Sequence, residues 1–158
     1  MGMRIYTTFF DNVTISAIQD VFSLKASASA GIELHYIELN AGGGIVTPAE
    51  IRMLLKRFPV TVTQGTGGTV PTIGFVDSGD TKAAGAVAHA NDTTTQMSTS
   101  GTAITLAAWQ WNVLLPFQYL TPPEDREVCS VSEGFALNMP AAPASTVVSG
   151  FIKWHEFP

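Results

Sequence analysis

The segment from Cys129 to Met139 constrains the fold most, because apolar side chains recur at every second position for most of its length. This is the period of a half-buried β-strand. Glu133 and Gly134 interrupt the alternation, and glycine's missing side chain would allow a bulge at that point. Pro140 and Pro143 follow, and they end a sheet ladder because proline has no backbone donor. The pattern predicts one bulged strand.

A second apolar run, residues 145–157, follows the prolines directly. We expect the two runs to pair as an antiparallel hairpin that closes the chain. Other short segments rich in β-branched and aromatic residues are strand candidates. These are residues 4–10, 21–25, 32–39, 86–90, 103–107 and 109–119.

The count is about eight short strands separated by turns rich in Gly, Pro, Asn and Asp. A chain of 158 residues is an ordinary size for one domain. The pattern predicts a single all-β domain over residues 1–158, an antiparallel two-sheet sandwich of jelly-roll type with one long loop excursion.

Two segments are harder to interpret. In 32–39, both parities mix apolar with polar residues, since Ile32 and Leu34 take one parity and Ile37 and Leu39 take the other. The second segment, 60–84, is rich in Gly, Thr, Ser and Asp, and we predict a long surface excursion. Loops of this length are unusual in a compact domain and are often functional or ordered by a partner.

Residues 47–58 fit two structures. Thr47, Pro48 and Glu50 have the form of a helix capping box with proline at the first helical position. Apolar residues then recur at helical spacing as far as Phe58. The neighbouring segments all have strand character, however, and a stretch of this length could equally be extended with both faces covered. The residues alone leave helix and strand open.

Composition favours a surface that contacts partners. Charged residues make up 13% of the chain, about half of the ~25% that is usual, and hydrophobic residues make up 46%. The cores of protein–protein interfaces are depleted in charged residues. A low content of charged residues is therefore compatible with a protein whose surface is largely covered by partners. The alternative is a monomer whose surface is rich in Thr and Ser. A net charge of −5 and a pI near 5.0 give no basic patch, so we expect no direct nucleic-acid contact.

The sequence contains no recognisable catalytic motif, and it predicts a protein without catalytic residues, cofactor or metal. His35, His89 and His155 are never within four residues of one another, so paired metal-ligand spacing is absent from the sequence. Cys129 is the only cysteine, and a buried, unreactive thiol is expected. The chain also has no nucleophile elbow. No apolar run approaches the ~18 residues of a membrane span, so no membrane association is expected.

Large apolar side chains give candidate contact residues. Trp109 and Trp111 share one parity, which favours packing in the core. The final run, 145–157, is apolar on both parities, so a second sheet and a loop, or another subunit, must cover it. The candidate interface residues are Phe9, Phe10, Ile73, Phe75, Phe151 and Phe157.

Several short motifs resemble those of small structural proteins of tailed bacteriophages, of the head decoration (cement) type. They are Pro122-Pro123-Glu124-Asp125-Arg126, Ala141-Ala142-Pro143-Ala144, Val148-Ser149-Gly150, Trp154-x-Glu156, Asn91-Asp92-Thr93-Thr94 and the Gly65-x-Gly67-Gly68 loop. The resemblance implies a β-sandwich virion component, made in the host cytoplasm, that binds the major capsid protein on the outside of the head, often as a trimer. It also implies that residues 50–57 are extended, and it carries over no catalytic residue.

We therefore expect a non-enzymatic protein that stabilises the capsid. The alternative is a carbohydrate- or receptor-binding jelly-roll module of the phage tail, with Trp109, Trp111 or Tyr119 as a stacking platform. That alternative predicts at least one tryptophan that faces solvent beside polar turns.

Overall fold

The computed structural model describes residues 4–44 and 48–158, and almost all regular structure in these ranges is β-strand. Within them, the one helical piece is a 3-10 helix at Pro123–Asp125. No helix in the described ranges has the length and apolar character needed to span a membrane. The strands are β1 Arg4–Ile15, β2 Gln19–Lys25, β3 Gly31–Gly42, β4 Glu50–Phe58, β5 Val62–Thr63, β6 Gly74–Phe75, β7 Val87–Asp92, β8 Ser98–Thr99, β9 Ile104–Asn112, β10 Phe117–Leu120, β11 Val128–Cys129, β12 Gly134–Met139 and β13 Thr146–Phe157.

The strands form two antiparallel sheets that pack face to face. Sheet A has the order β10-β3-β13-β1-β6, with β11 also paired to β3. Sheet B has the order β7-β2-β12-β4-β9, and β5 and β8 form a separate two-stranded ribbon. The predicted all-β, two-sheet antiparallel sandwich is confirmed.

The core lies between the sheets and is filled by alternate residues of each strand. On β13, Val148, Ile152 and Trp154 point inward and are buried. From β1, Phe10 meets Phe22 of β2 with ring centroids 5.0 Å apart, so the two sheets touch through aromatic side chains. Full burial of such a side chain contributes about 1.5–3 kcal/mol. The sandwich is held mainly by this apolar layer.

The closing hairpin predicted from Cys129 onward is wrong. Cys129 belongs to β11 in sheet A, whereas β12 lies in sheet B between β2 and β4. A turn separates β11 from β12, with Ser132 at a φ of 62° and a hydrogen bond of 2.8 Å from the Ser130 amide to the Glu133 carboxylate. β13 then pairs in sheet A, because the proline segment carries the chain across the sandwich. Alternation identifies a strand but not its partner.

The predicted burial of Cys129 is confirmed. Its side chain lies in the core, and burial raises the pKa of the thiol to about 12. A thiol that stays protonated at neutral pH is a poor nucleophile. Cys129 therefore acts as a small core residue.

Residues 50–57 form a strand, as the phage-protein resemblance implies. β4 pairs with β12 on one side and β9 on the other, so tertiary pairing outweighs the helical spacing of its apolar residues. Thr47, the cap residue of the alternative helix, lies outside the described residues. The predicted bounds of the strands at 103–107 and 109–119 are wrong. One strand, β9, spans most of 103–107 and the start of 109–119, and β10 begins after a turn. Trp111 closes that turn by donating Nε1–H to the Leu115 carbonyl at 2.7 Å.

The long excursion, 60–84, covers the outer face of sheet B with its first part. Val62 and Met97 pack there against Phe58 and Ala136 in a second, smaller apolar cluster. Every residue of β12 is therefore buried. Part of the excursion is ordered by the chain itself and not by a partner.

Two of the sequence motifs meet in this cover. Thr66 and Thr95 form an isolated antiparallel bridge, and their hydroxyls lie 2.8 Å apart. Thr69 and Ala90 form a second bridge with reciprocal backbone hydrogen bonds of 2.9 Å. Between the bridges, Gly68 approaches the Ala90 carbonyl so closely that only glycine fits. The glycine loop thus packs against residues 90–95 as a structural feature.

A buried polar network lies beneath the cover. The Asp20 carboxylate accepts hydrogen bonds from the Met97 amide at 2.6 Å and from Asn138 Nδ2 at 2.8 Å. Asn138 Oδ1 in turn accepts one from Lys56 Nζ at 2.9 Å. Burial raises the pKa of Asp20 to about 6, the two bonds to Asp20 oppose that rise, and the nearby charge of Asp92 adds to it. The network ties the segment around Met97 to sheet B.

Replacing Gly68 by alanine is expected to destabilise the protein. The added Cβ would lie 2.2 Å from the Ala90 carbonyl oxygen, which belongs to paired backbone and cannot move freely. Overpacking of this kind typically costs about 1–3 kcal/mol of unfolding free energy. Urea denaturation measures it. The matched control is Gly42→Ala, where a Cβ meets nothing within 4 Å. Equal stability of the two variants would contradict the close approach of Gly68 to the Ala90 carbonyl.

The Asp20 carboxyl is expected to titrate near pH 6, against an ordinary value of 3.8. Because the folded state holds this proton more tightly than the unfolded chain, the contribution of Asp20 to the free energy of unfolding falls as pH rises from 3.8 to about 6. Carboxyl ¹³C NMR gives the midpoint. Asp92→Asn should lower it by removing a like charge, whereas the exposed Asp11→Asn should leave it unchanged. A midpoint near 4 in the unmodified protein would show that Asp20 is not buried.

Candidate functional site

The outer face of sheet A is open to solvent, whereas the β2–β12 part of the outer face of sheet B is covered. Phe9 on β1 is 65% exposed and Leu120 on β10 is 70% exposed. Two shallow grooves cross this face. One, of about 400 Å³, lies between Phe9 and Phe151, and we name it the Phe9 groove. The other, of about 460 Å³, we name the Leu120 groove, and its lining includes Ile5, His35, Tyr36, Val76, Gln118, Leu120, Arg126 and Lys153.

An aromatic ridge separates the grooves. Phe9 lies directly opposite Phe151 in the register of β1 with β13. Phe151 packs against Tyr36 of β3 with ring centroids 5.3 Å apart, and Lys153 Nζ lies 5.3 Å from the Phe151 centroid. Diagonal and direct cross-strand pairs of this kind stabilise a sheet face. They also leave an apolar surface flanked by one cation, which we call the Phe151 ridge.

The ridge has a fixed polar margin. The Tyr36 hydroxyl donates a short hydrogen bond to Glu38, and Glu38 also accepts bonds from Asn40 at 2.9 Å and Gln118 at 3.3 Å. Burial and the bond to Glu38 raise the pKa of Tyr36 to about 12. Donation from Tyr36, and then from Asn40, lowers the pKa of Glu38. The tyrosine is therefore neutral and the carboxylate charged at neutral pH.

A second feature of this face is a cluster of Glu33, His35, His155 and Arg126 beside the Leu120 groove. His155 pairs directly with Glu33 in the register of β13 with β3. The register shifts between Lys153 and Trp154, and β3 has an extra residue there, which brings His35 to the same face. One ligand atom from each of Glu33, His35 and His155 lies within 4.8 Å of the other two.

Hydrogen bonds and charge couple the members of the cluster. Glu33 Oε1 lies 2.8 Å from His35 Nε2 and 2.9 Å from Arg126 Nη1. Burial acts to raise the pKa of Glu33, but the bonds from Arg126 and His35 outweigh it and the pKa is lowered. Burial lowers the pKa of His35, and the positive charge of Arg126 lowers it further. A charged Glu33 therefore faces a neutral imidazole.

The structure brings together two of the candidate interface residues predicted from sequence. Phe9 and Phe151 lie side by side on the outer face of sheet A. Phe75 is 39% exposed at the edge of this sheet and packs on Tyr6, while Ile73 is partly buried against the core. Only the first pair forms part of the ridge.

The remaining two candidates do not form part of the ridge. Phe10 is a core residue in contact with Phe22, so it offers no contact surface, because the alternation of β1 turns it inward. Phe157 is half-buried at the far end of β13, and its ring covers Gly31. The terminal aromatic residues thus divide between core, edge and outer face.

Sequence reasoning missed Tyr36, Leu120 and the histidine cluster. The parity change within 32–39 was the available signal, since it is what a bulge at His35 and Tyr36 produces. No local signal could have joined His35 to His155, because spacing along the chain says nothing about a pairing over more than a hundred residues. The expectation of no metal ligands rested on that spacing alone.

The tryptophans do not form a solvent-facing platform. Trp111 and Trp154 are buried in the core, as expected for Trp111. Trp109 is half-buried and meets Phe117 and Tyr119 edge to face, with centroids 5.2 Å and 5.1 Å apart. A stacking platform for sugars requires an accessible ring face. The carbohydrate-binding alternative gains no support from these residues.

The arrangement is suited to binding a surface. Its grooves are shallow, its ridge is aromatic, and its charges lie at the margin, which is the composition of an interface core with a polar rim. Compared with protein-family models, with curated proteins and with solved structures, the chain matches none of them. Its own geometry therefore has to supply any proposal about function.

Proposed function

We propose that this chain is a non-enzymatic virion structural protein of a tailed bacteriophage. It is a head decoration protein that binds the major capsid protein through the outer face of sheet A and stabilises the head. The observation that carries the proposal is the uncovered Phe151 ridge on a chain with 13% charged residues. The motif resemblance supplies the class of partner.

The contrast between the two sheets supports the choice of face. The chain uses residues 60–69 and 93–99 to bury the outer side of sheet B, where β2 and β12 are buried on both faces. Within residues 4–44 and 48–158, no segment covers Phe9 or Leu120 on sheet A in this way. Phe9 and Phe151 are register partners, and large apolar groups that lie together mark an interaction surface more often than isolated ones do.

The strand order supports a jelly-roll interpretation of the sandwich. Eight strands fall into two sets of four, β10-β3-β13-β1 and β9-β4-β12-β2, with β7 as an added edge strand. The first four strands alternate between the sheets, and so do the last four, β9, β10, β12 and β13. Two Greek-key units wound in this way form a jelly roll, a fold common in viral capsid domains. Fold alone does not assign function, so the strand order supports the proposal less strongly than the exposed ridge does.

The aromatic side chains on this face are of the kind that dominates the affinity of protein–protein interfaces. A specific interface of standard size buries about 800 Å² on each partner, and a few central aromatic residues dominate its affinity. Phe9 and Phe151 are adjacent register partners on this face, and Phe9 is 65% exposed in the isolated chain. Burying such a side chain contributes on the order of 1.5–3 kcal/mol. We propose Phe9 as the anchor, with a homotrimer as the bound form.

The test is binding to capsids of the encoding phage that were assembled without this protein. Phe9→Asp places a charge at the proposed anchor and should weaken co-sedimentation with capsids at least about tenfold, which corresponds to ~1.4 kcal/mol. The control is Val70→Asp, which also places a carboxylate at an exposed apolar residue, here one that is 70% exposed in the excursion. It should bind as the unmodified protein does.

Mass in solution and circular dichroism accompany the binding assay, so that a folding defect is not mistaken for lost affinity. A stable monomer that binds no capsid at any salt concentration would refute the decoration role. Normal binding by Phe9→Asp combined with loss in Val70→Asp would place the interface on sheet B instead.

A further inference from the structure

Glu33, His35 and His155 supply a donor set to which the proposed capsid contact assigns no role. The set comprises one carboxylate and two imidazoles, all on the outer face of sheet A and within 4.8 Å of one another. Two histidines with one carboxylate are the protein ligands of several zinc centres that keep a coordination position open. We propose that these three residues bind one divalent metal ion of the zinc class.

Backbone geometry holds the donors in place. Glu33 and His155 are register partners on neighbouring central strands, and the β-bulge at His35 brings a second imidazole to the same side. Zinc bonds of about 2.0–2.1 Å require donors roughly 3.3 Å apart. The present separations of up to 4.8 Å exceed that spacing, so binding would require the side chains to rotate. Sites placed on strands are more rigid than sites placed on loops.

The present hydrogen bonding leaves polar atoms of the cluster unsatisfied. His35 Nε2 lies 2.8 Å from Glu33 Oε1, a bond for which it must carry a proton. It also lies 3.2 Å from Arg126 Nη1, a donor for which it must offer a lone pair. One nitrogen cannot do both at once. His155 Nδ1 and Arg126 Nε are buried without any hydrogen-bond partner among the described residues. A metal ion would use the lone pairs of Glu33 and His35 directly.

Arg126 is the competitor for the site. Its guanidinium contacts both Glu33 Oε1 and His35 Nε2, so a positive charge already lies where a metal ion would be bound. Arg126 belongs to the irregular stretch between the 3-10 helix and β11, and its side chain is 18% exposed. The Leu120 groove, which Arg126 lines together with His35, is the space that its side chain would enter on leaving the cluster. The groove also gives a hydrated ion access to the cluster.

Zinc binding by the purified full-length protein tests the site. Zn²⁺ affinity is measured by competition with a chromophoric chelator, and Co²⁺ serves as a spectroscopic probe of coordination. We expect one Zn²⁺ per chain. Arg126→Gln removes the competing cation and should tighten binding at least about tenfold, because a like charge within a few ångströms is lost. A neutral glutamine also keeps some of the packing of the arginine.

Ligand variants and a histidine control complete the test. His155→Ala and Glu33→Gln should weaken binding by more than the roughly 100-fold that a lost outer-shell partner can cost. The control is His89→Ala, which removes the remaining histidine, located on β7 in sheet B. It should bind zinc like the unmodified chain.

Both ligand residues are partly exposed, and circular dichroism verifies that each variant folds. If neither the unmodified protein nor Arg126→Gln binds zinc at one ion per chain, the site does not exist. If His89→Ala loses as much affinity as His155→Ala, zinc binds elsewhere. Since the titration uses the isolated protein, its failure leaves the capsid-binding proposal untouched, and failure of capsid binding leaves this one untouched.

Discussion

The pairing of β13 with β1 on one side and β3 on the other is the constraint on which the rest of the structure depends. This central strand contributes Val148, Ile152 and Trp154 to the core. Its alternate residues, including Phe151 and His155, form the ridge and the cluster on the outer face. A slip of one residue would exchange the two sets, since the side-chain period of a strand is two. Stability and surface chemistry are therefore fixed by the same register.

The two sheets solve the problem of a charge-poor surface in different ways. The β2–β12 part of sheet B is covered by the chain itself. The excursion contacts Ser23 and Ala136, and the segment around Met97 contacts Asp20. Burying carboxylates there is costly, which the raised pKa of Asp20 records. The described residues give sheet A no comparable cover, so burial of the exposed Phe9 by another molecule would be favourable. Internal cover on one face and the proposed docking on the other are alternative ways to remove apolar area from water.

Alternation and turn residues were sufficient to predict most of the long strands, the two-sheet sandwich and the burial of Trp111, because these follow from local pattern and apolar content. They left β4 open between helix and strand and missed the short strands β5, β6 and β8. They were insufficient to predict which strands pair with one another. The pattern of 129–139 looked continuous, yet Ser132 at positive φ divides it between two sheets. The outward position of Phe9 and the inward one of Phe10 depend on which face of β1 meets the core. Neither choice is encoded within a single segment, since strand partners are distant in sequence.

The bulge in β3 changes which of its side chains lie on the outer face of sheet A. Ile32 and Leu34 point inward on one parity, and Ile37 and Leu39 point inward on the other. Without an extra residue opposite the Lys153–Trp154 step, Tyr36 would enter the core and Ile37 would face solvent. With it, the bulge keeps Tyr36 on the outer face beside Phe151, and His35 reaches Glu33. The aromatic ridge and the histidine cluster thus share one structural cause, so a change that removed the bulge would disrupt both surfaces together.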